Sequence, residues 1–184
     1  MEQTREIYLA GGCFWGVEHY IKKIAGVCST QVGYANSLIA TPTYKEVCSG
    51  RTEAVETVRV IYDPSKIALS YLLSAFYRII NPTSLNKQGG DVGTQYRTGV
   101  YYTDPKDAVI IADSLALLQK KYTKSIVVEC MPLKNYFSAE EYHQEYLTAN
   151  PAGYCHVALE NFALAKTFVC PTEQIEKDEK RRNE

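Results

Sequence analysis

A cysteine directly follows a double glycine at the point where a helix is expected to begin. Gly11 and Gly12 precede Cys13, and apolar residues then recur at steps of three and four, as in an amphipathic helix. Backbone N–H groups and the positive end of the helix dipole stabilise a thiolate there, so the pKa of such a thiol can fall to roughly 3.5–7.5. The pattern predicts a reactive nucleophile at Cys13, against the alternative of a small apolar side chain packed at a turn.

Glu56 interrupts an otherwise apolar face of a strand expected at about residues 54–62. Alternate residues of a strand point to the same side. The other members of this face are Ala54, Val58, Val60 and Tyr62. A carboxyl group in apolar surroundings has a raised pKa, stays protonated near neutral pH and can donate a proton to a leaving oxygen. Alternation alone allows equally that Glu56 lies at the end of the sheet and reaches solvent.

Three further polar residues lie in expected loops. Tyr44 follows a proline-threonine pair, while Asp91 and Tyr96 belong to a polar, glycine-rich stretch at residues 81–96. A loop this long within a compact domain is usually functional. With fifteen tyrosines in the chain, Tyr44 and Tyr96 also fit ordinary amphipathic packing, and Asp91 fits an ordinary turn.

The cysteine and histidine spacings argue against a metal site. No two of the six cysteines are separated by two residues, which excludes zinc ribbons and thioredoxin-like CxxC motifs. His19, His143 and His156 have no metal-ligand spacing, and His143 is expected on a polar helix face. The first six residues lack the apolar region of a secretory signal, so a cytoplasmic protein with reduced thiols is expected.

Strands and helices are expected to alternate along the chain. Strands are predicted at about residues 7–10, 27–35, 54–62, 99–103 and 125–131. Helices are predicted at about residues 14–24, 63–80 and 104–122, with a last one opening at Ser138 and Glu141 in the capping-box position. Two strands are consecutive, so the sheet should be mixed. Residues 1–170 form one expected domain, and residues 171–184 a charged, solvated tail that can be helical.

Composition narrows the function classes. The chain has 184 residues, 46% of them hydrophobic, and 20 basic against 21 acidic residues give a net charge of -1. A charge this close to zero argues against binding to nucleic acid or to an anionic membrane. The apolar runs are too short for a transmembrane helix.

Six segments, in order along residues 5–156, resemble the A-type peptide-methionine (S)-S-oxide reductase family. The most specific is GCFWG at residues 12–16. The others lie at residues 42–50 (PTYKEVCSG), 56–64, 91–97 (DVGTQYR), 139–144 and 150–156. The resemblance implies an α+β two-layer sandwich with a mixed sheet, a ferredoxin-like core and an irregular C-terminal segment.

The resemblance also implies a role for each site residue. Cys13 matches the nucleophile that attacks the sulfoxide sulfur, Glu56 the acid, and Tyr44 and Tyr96 the hydroxyl donors to the sulfoxide oxygen. Cys155 matches the resolving cysteine. Two matches concern substrate: the aromatic pocket for the S-methyl group corresponds to Phe14 and Trp15, and the carboxylate that orients substrate to Asp91.

The implied reaction needs no bound cofactor. Cys13 becomes a sulfenic acid, which condenses with Cys155 to a disulfide, and an external thiol such as thioredoxin or dithiothreitol reduces that disulfide. The expected substrates are oxidised proteins and free methionine sulfoxide, and a monomer is expected. A relay of the disulfide through Cys170 is a further option that the local sequence does not support.

The sequence departs from the family pattern in three places. Thr52-Glu53-Ala54-Val55 replaces the usual residues before the acid, so the choice of Glu56 over Glu53 rests on register and strand parity. Val92 stands where some members have histidine, and the residues after Cys170 have no counterpart in the family pattern: they form a tail or a join to a B-type domain.

Two other function classes fit parts of the pattern. A cysteine hydrolase would pair Cys13 with His143 or His156. A non-catalytic binder of methionine-containing peptides would use a pocket at Trp15.

Overall fold

The structure, a computed structural model, describes residues 4–184 and contains eight strands and seven α-helices in that range. The strands are β1 (Arg5–Gly11), β2 (Val27–Ala35), β3 (Val55–Tyr62), β4 (Lys87–Gln88), β5 (Asp91–Val92), β6 (Thr98–Tyr102), β7 (Glu129–Pro132) and β8 (Tyr136–Ser138). The α-helices are α1 (Phe14–Ile21), α2 (Tyr44–Cys48), α3 (Leu69–Phe76), α4 (Asp107–Gln119), α5 (Tyr146–Ala149), α6 (Leu159–Ala165) and α7 (Thr172–Arg182). Short 3₁₀ helices cover Tyr77–Ile79, Thr94–Tyr96 and Glu141–His143. Residues 1–3 lie outside the described range. They belong to the N-terminal six residues in which no signal peptide is expected.

Six strands form one mixed sheet in the order β7-β6-β1-β3-β2-β8. All neighbouring strands are antiparallel except β6 and β7, which are parallel. In this register Tyr34 on β2 is paired with Glu56 on β3. The predicted mixed sheet is confirmed, and the fold combines this sheet with helices. The remaining strands, β4 and β5, form a small hairpin of their own inside the long polar stretch.

Helices α1, α3 and α4 bury their apolar sides against one face of the sheet. Ile7 and Leu9 of β1 point into this main core, whereas Tyr8 and Ala10 point into a smaller cluster on the opposite face. Burying a Val, Leu or Ile side chain contributes about 1.5–3 kcal/mol, so the larger cluster supplies most of the apolar driving force. The helices thereby fix the start of α1 against the sheet, and Cys13 precedes that start directly.

Local hydrogen bonds move several elements from their predicted places. The side chain of Asp63 accepts the N–H of Ser65 at 2.9 Å, which makes a turn, and α3 begins only at Leu69. Ser138 ends strand β8, paired with Gly33, so the predicted helix and capping box at residues 138–141 are absent and a 3₁₀ helix follows instead. A capping box does form between Thr43 and Glu46 at the start of α2, in the segment predicted as a loop.

The C-terminal segment is a helix with a buried face. Asp178 and Arg182 of α7 are 6% and 8% exposed. Asp178 accepts hydrogen bonds from the backbone N and the hydroxyl of Ser70 at the start of α3, both at 2.8 Å. Arg182 forms ion pairs with Asp104 and Asp107, next to and within α4. The predicted solvated tail is therefore wrong for this face, because its charges have partners that the sequence pattern did not reveal; the helical option is what is observed.

Within residues 4–184, no helix combines the length and the apolar character that crossing a bilayer requires.

Candidate active site

Cys13 occupies the N-cap position of α1, at the end of a tight glycine turn. Gly12 has a φ of 87°, and a Cβ there would lie 2.6 Å from the Cβ of Gln88, so only glycine fits the turn. The Cys13 side chain is buried, with 7% of its surface exposed. The turn thus presents the sulfur at the helix start while shielding it from most solvent.

The surroundings of the Cys13 thiol favour its protonated form, whereas the sequence predicts a thiolate. Burial raises the pKa of Cys13 well above its usual value, and the nearby Glu56 raises it further. The backbone N–H of Trp15 lowers the pKa, as expected at a helix start, but its effect is the smaller one. The lowering of the Cys13 pKa expected at a helix start is therefore present, but burial, which the sequence did not reveal, outweighs it.

Glu56 projects from β3 to the same helix start. Its carboxyl is 2% exposed, and its Oε2 accepts the backbone N–H of Phe14 at 3.1 Å. The alternative in which Glu56 reaches solvent is excluded. Burial raises the pKa of Glu56 to about 8, Asp91 adds to this rise and the Phe14 N–H opposes it. At neutral pH the site holds a neutral carboxylic acid beside the thiol.

Tyr44 at the start of α2 and Tyr96 at the end of a 3₁₀ helix both lie close enough to Glu56 for its charge to affect their phenols. Tyr44 is the first residue of α2, and its backbone N–H donates to Glu140 Oε1 at 2.7 Å. Burial raises the pKa of both phenols, and Glu56 raises both further. Both phenols therefore stay protonated and able to donate hydrogen bonds.

The two aromatic residues after Cys13 have different environments. Phe14 is 1% exposed and packs against Tyr34 and His143, with ring centroids 6.0 and 5.2 Å away. Trp15 is half-buried and stacks on Tyr146, with 3.8 Å between ring centroids. Trp15 is therefore the more accessible of the two to a ligand.

His143 lies at the centre of this aromatic group, and its expected position on a polar helix face is wrong. It is 1% exposed and contacts the rings of Phe14, Trp15 and Tyr44. Its Nδ1 accepts the Trp15 indole N–H at 3.2 Å, and burial lowers its pKa, so the ring is neutral. Sequence reasoning assigned Glu140 and Tyr146 no role in the site, and it pointed to His143 only as a partner of Cys13 in the hydrolase alternative, because no helical or strand period marks these residues.

Cys155 lies over the first turn of α1. Its Sγ is only 3.0 Å from the point where a Cβ of Gly16 would stand, so the missing side chain of Gly16 admits the sulfur. Burial is the main cause of the raised pKa of Cys13, and Cys155 makes only a small further contribution to that rise. Both thiols are free in this structure.

The segment that carries Cys155 is tied to the rest of the site on both sides. The hydroxyl of Tyr154 donates to Asp91 Oδ2 at 3.0 Å, which places Asp91 beside this segment. His156 Nε2 is 3.0 Å from the carbonyl oxygen of Gly11. His143 and His156 thus direct ring nitrogens to Trp15 and Gly11, which does not favour the hydrolase alternative. Cys170 lies elsewhere, where its sulfur accepts the backbone N–H of Ala68 at 3.4 Å.

Among residues 4–184, no group of three or more histidine, cysteine, aspartate or glutamate side chains is arranged to hold a metal ion.

Comparisons with known proteins agree on one family. The sequence model of the family described as peptide methionine sulfoxide reductase matches residues 5–170. The peptide methionine sulfoxide reductase MsrA of Clostridium perfringens is 56% identical over 156 residues, which are 85% of this chain and 99% of that protein. The MsrA of Mycoplasma genitalium is 55% identical over 153 residues, 83% of this chain and 98% of that protein.

Solved structures give the same result. The crystal structure of Mxr1 from Saccharomyces cerevisiae in reduced form superposes with a TM-score of 0.81 at 39% identity, covering 85% of this chain and 92% of that one. Mxr1 in complex with Trx2 superposes with a TM-score of 0.57 at 27% identity, covering 78% and 85%. Because the family model and the relatives each cover most of its length, the chain belongs to the peptide methionine sulfoxide reductase family, of the A type.

Proposed function

We propose that this chain reduces methionine S-sulfoxide, peptide-bound and free, to methionine, with Cys13 as nucleophile and Glu56 as proton donor. The observation that carries the proposal is the buried, neutral carboxyl of Glu56, held at the N-terminus of α1 by the Phe14 N–H and next to a buried thiol. A sulfoxide oxygen is a poor leaving group unless it is protonated. A carboxylic acid that stays protonated at neutral pH supplies that proton.

The first step transfers one oxygen atom. The Cys13 sulfur attacks the sulfoxide sulfur and forms an S–S bond while Glu56, Tyr44 and Tyr96 donate hydrogen bonds to the sulfoxide oxygen, and the proton moves from Glu56 to that oxygen. The resulting hydroxyl group then moves to the Cys13 sulfur: the S–O and S–S bonds to the substrate sulfur break, and the S–O bond of the sulfenic acid forms. The thiol proton of Cys13 then restores the acid form of Glu56. The products are methionine and the sulfenic acid of Cys13, so sulfur of the substrate is reduced by two electrons and sulfur of Cys13 is oxidised by two.

Substrate binding explains how a protonated thiol becomes a nucleophile. The sulfur of a sulfoxide carries partial positive charge, and the charge grows as the oxygen accepts hydrogen bonds from the acid and the phenols. Placed against Cys13, this charge favours the thiolate in a site from which water is excluded. The thiol is then ionised only when a substrate is present to react. Trp15 is proposed as a wall of the S-methyl pocket, with the buried Phe14 behind it, and Asp91 as the carboxylate that orients substrate.

The second step forms a disulfide. The Cys155 thiol attacks the sulfenic sulfur of Cys13, one water molecule leaves, and a Cys13–Cys155 disulfide results. The position of Cys155 over Gly16, one turn from Cys13, supports this role. A dithiol of the thioredoxin type returns both cysteines to thiols by exchange. The solved complex of the related Mxr1 with Trx2 supports thioredoxin as that reductant.

We also infer a ferredoxin-like core, supported by the chain order β1-α1-β2-β3-α3-β6 and the sheet order β6-β1-β3-β2. The six free thiols suit a reducing compartment, which supports the cytoplasm as the location.

The test separates the two epimers of methionine sulfoxide and counts thiols. Wild-type protein should consume the S epimer and leave the R epimer, and one turnover without reductant should remove two titratable thiols. Cys13→Ser should abolish the reaction, whereas Cys28→Ser, which changes an exposed thiol on β2, should leave it intact. Wild-type turnover by Cys13→Ser with dithiothreitol would show that the nucleophile is another residue.

A further inference from the structure

Glu18 is a buried carboxyl in α1 that the proposed reaction does not use. Its side chain lies three residues after Trp15 and is 2% exposed. One carboxyl oxygen accepts the hydroxyl of Thr30 on β2 at 3.2 Å, and the other accepts the backbone N–H of Glu145 at 3.1 Å. Burying an ionisable group is costly, so two directed hydrogen bonds at such a position call for an explanation.

The Glu145 backbone is held in a strained conformation. Its φ and ψ are 52° and 28°, in the left-handed region, and it forms the N-cap of α5. A residue with a side chain persists there only when its surroundings fix it. Glu18 holds the backbone N–H, Lys22 pairs with the Glu145 carboxylate, and the hydroxyl of Thr148 donates to that carboxylate at 2.8 Å.

One peptide unit links this strained residue to the proposed substrate pocket. Tyr146, the next residue, stacks on Trp15 with 3.8 Å between centroids and an interplanar angle of 17°. The other edge of Trp15 is held by His143. A shift of the Glu145 backbone would therefore move the ring against which Trp15 rests.

We propose that Glu18 is a positioning residue for substrate binding, which keeps Tyr146 stacked on Trp15 by holding the backbone N–H of Glu145. This inference rests on the proposed function, since it takes Trp15 as a wall of the sulfoxide pocket. Glu18 touches neither substrate nor Cys13, so its effect falls on affinity rather than on the chemical step.

The strength of the hydrogen bond from the Glu145 backbone N–H to Glu18 depends on pH. Burial raises the pKa of Glu18 to about 7, the Glu145 carboxylate adds to the rise, and the Thr30 hydroxyl, the Glu145 N–H and Lys22 oppose it. On β8, Tyr136 lies close enough for the charge of Glu18 to contribute to the raised pKa of its phenol. An ionised carboxylate accepts a hydrogen bond more strongly than the neutral acid. The hydrogen bond from the Glu145 N–H to Glu18 is therefore stronger above about pH 7 and weaker below it.

Trp15 gives a direct readout, because it is the only tryptophan in the chain. The experiment compares wild type, Glu18→Gln, Glu18→Ala and the control Glu176→Gln, an exposed glutamate of α7. It measures KM and kcat for a peptide-bound methionine S-sulfoxide with excess dithiothreitol, and the Trp15 emission from pH 5.5 to 8.5. Glu18→Gln should raise KM about threefold and Glu18→Ala about tenfold, as expected for weakening or losing one hydrogen bond, with kcat unchanged.

The emission separates positioning from general destabilisation. Wild type and the control should show an emission transition centred near pH 7, which Glu18→Gln should lack because an amide does not titrate. Equal KM values together with the same transition in wild type and Glu18→Gln would overturn the proposal. Should Glu18→Ala fail to fold, Glu18→Gln and the wild-type titration still decide it. If wild type reduces no sulfoxide, the proposed function fails, while the emission titration still tests Glu18 by itself.

Discussion

Burial sets the chemical character of each residue in this site. The Cys13 thiol and the Glu56 carboxyl lie at the same helix start, where an exposed carboxyl would be ionised at neutral pH and the helix dipole would favour a thiolate. Desolvation raises the pKa of both, so the resting pair is neutral. A neutral pair can transfer a proton to a sulfoxide oxygen, which a thiolate–carboxylate pair could not do.

Replacing the carboxyl of Glu56 tests its proposed role as the proton donor. Glu56→Gln keeps a hydrogen-bond donor and should slow the first turnover about tenfold, whereas Glu56→Ala removes the donor and should slow it about a thousandfold. Rapid-quench measurement of methionine release in the first turnover gives both rates. Equal first-turnover rates in wild type, Glu56→Gln and Glu56→Ala would show that Glu56 does not take part in the reaction.

The same carboxyl predicts the direction of a pH effect. The folded pKa of Glu56, about 8, lies above the ordinary value of 4.5, so the acid form is present below about pH 8 and is lost above it. The first-turnover rate of wild type should therefore decline as pH rises through 8, and Glu56→Gln should lack this decline. The raised pKa of Glu56 also makes the free energy of unfolding depend on pH in the same direction. Its stabilising contribution is fully present below pH 4.5 and is lost as pH rises through 8. A decline that persists in Glu56→Gln would have another cause.

At the scale of elements, a helix start and a loop bring two cysteines together. The sequence predicted α1 and its start at Cys13 well, because the double glycine and the apolar steps are local signals. It could not predict that residues 154–156 fold back over that helix, since Tyr154 and His156 are fixed by contacts with Asp91 and Gly11, far away in the chain. The match to family motifs, rather than any periodicity, indicated Cys155.

Removing the Cys155 thiol, the proposed resolving group, should separate the two half-reactions. Cys155→Ser should complete the first turnover at the wild-type rate, because the Cys13 sulfur and its proton donor are unchanged. It should then fail to cycle with thioredoxin, since no intramolecular disulfide forms. Mass spectrometry should find a sulfenic acid on Cys13 after that turnover. Undiminished cycling with thioredoxin would assign the resolving role to another cysteine.

Gly16 controls how closely the two elements approach. A Cβ at this position would stand 3.0 Å from the sulfur of Cys155 and 3.0 Å from Cγ2 of Val157. Gly16→Ala should therefore displace the Cys155 segment and slow disulfide formation about tenfold, while methionine release in the first turnover stays near the wild-type rate. Unchanged thiol loss in Gly16→Ala would show that the segment has room to adjust.

At the scale of the whole molecule, α7 is joined to the domain by charge rather than by apolar surface. The family model ends at residue 170, so α7 lies outside the part of the chain that carries the family pattern. Charge patterning predicted a solvated segment because a run of lysine, arginine and glutamate usually faces water. The pattern could not show that Asp107 and Ser70, on two other helices, would be partners for Arg182 and Asp178.

Replacing each of two neighbouring arginines in α7 tests how much the ion pairs of this helix stabilise the fold. Arg182→Ala leaves the carboxyl of Asp107, 1% exposed, without its main cation and should lower the free energy of unfolding by about 3–5 kcal/mol, as expected when one partner of a buried ion pair is removed. Arg181→Ala breaks pairs with Asp113 and Glu184 that are open to solvent, and should change stability little. Urea unfolding followed by circular dichroism gives both values, and kcat/KM at 25 °C should match wild type in both variants, because α7 contributes no side chain to the site. Equal losses of stability would mean that Arg182 contributes no more than a surface charge, and that α7 is held by its other contacts, those of Gln174, Asp178 and Glu179.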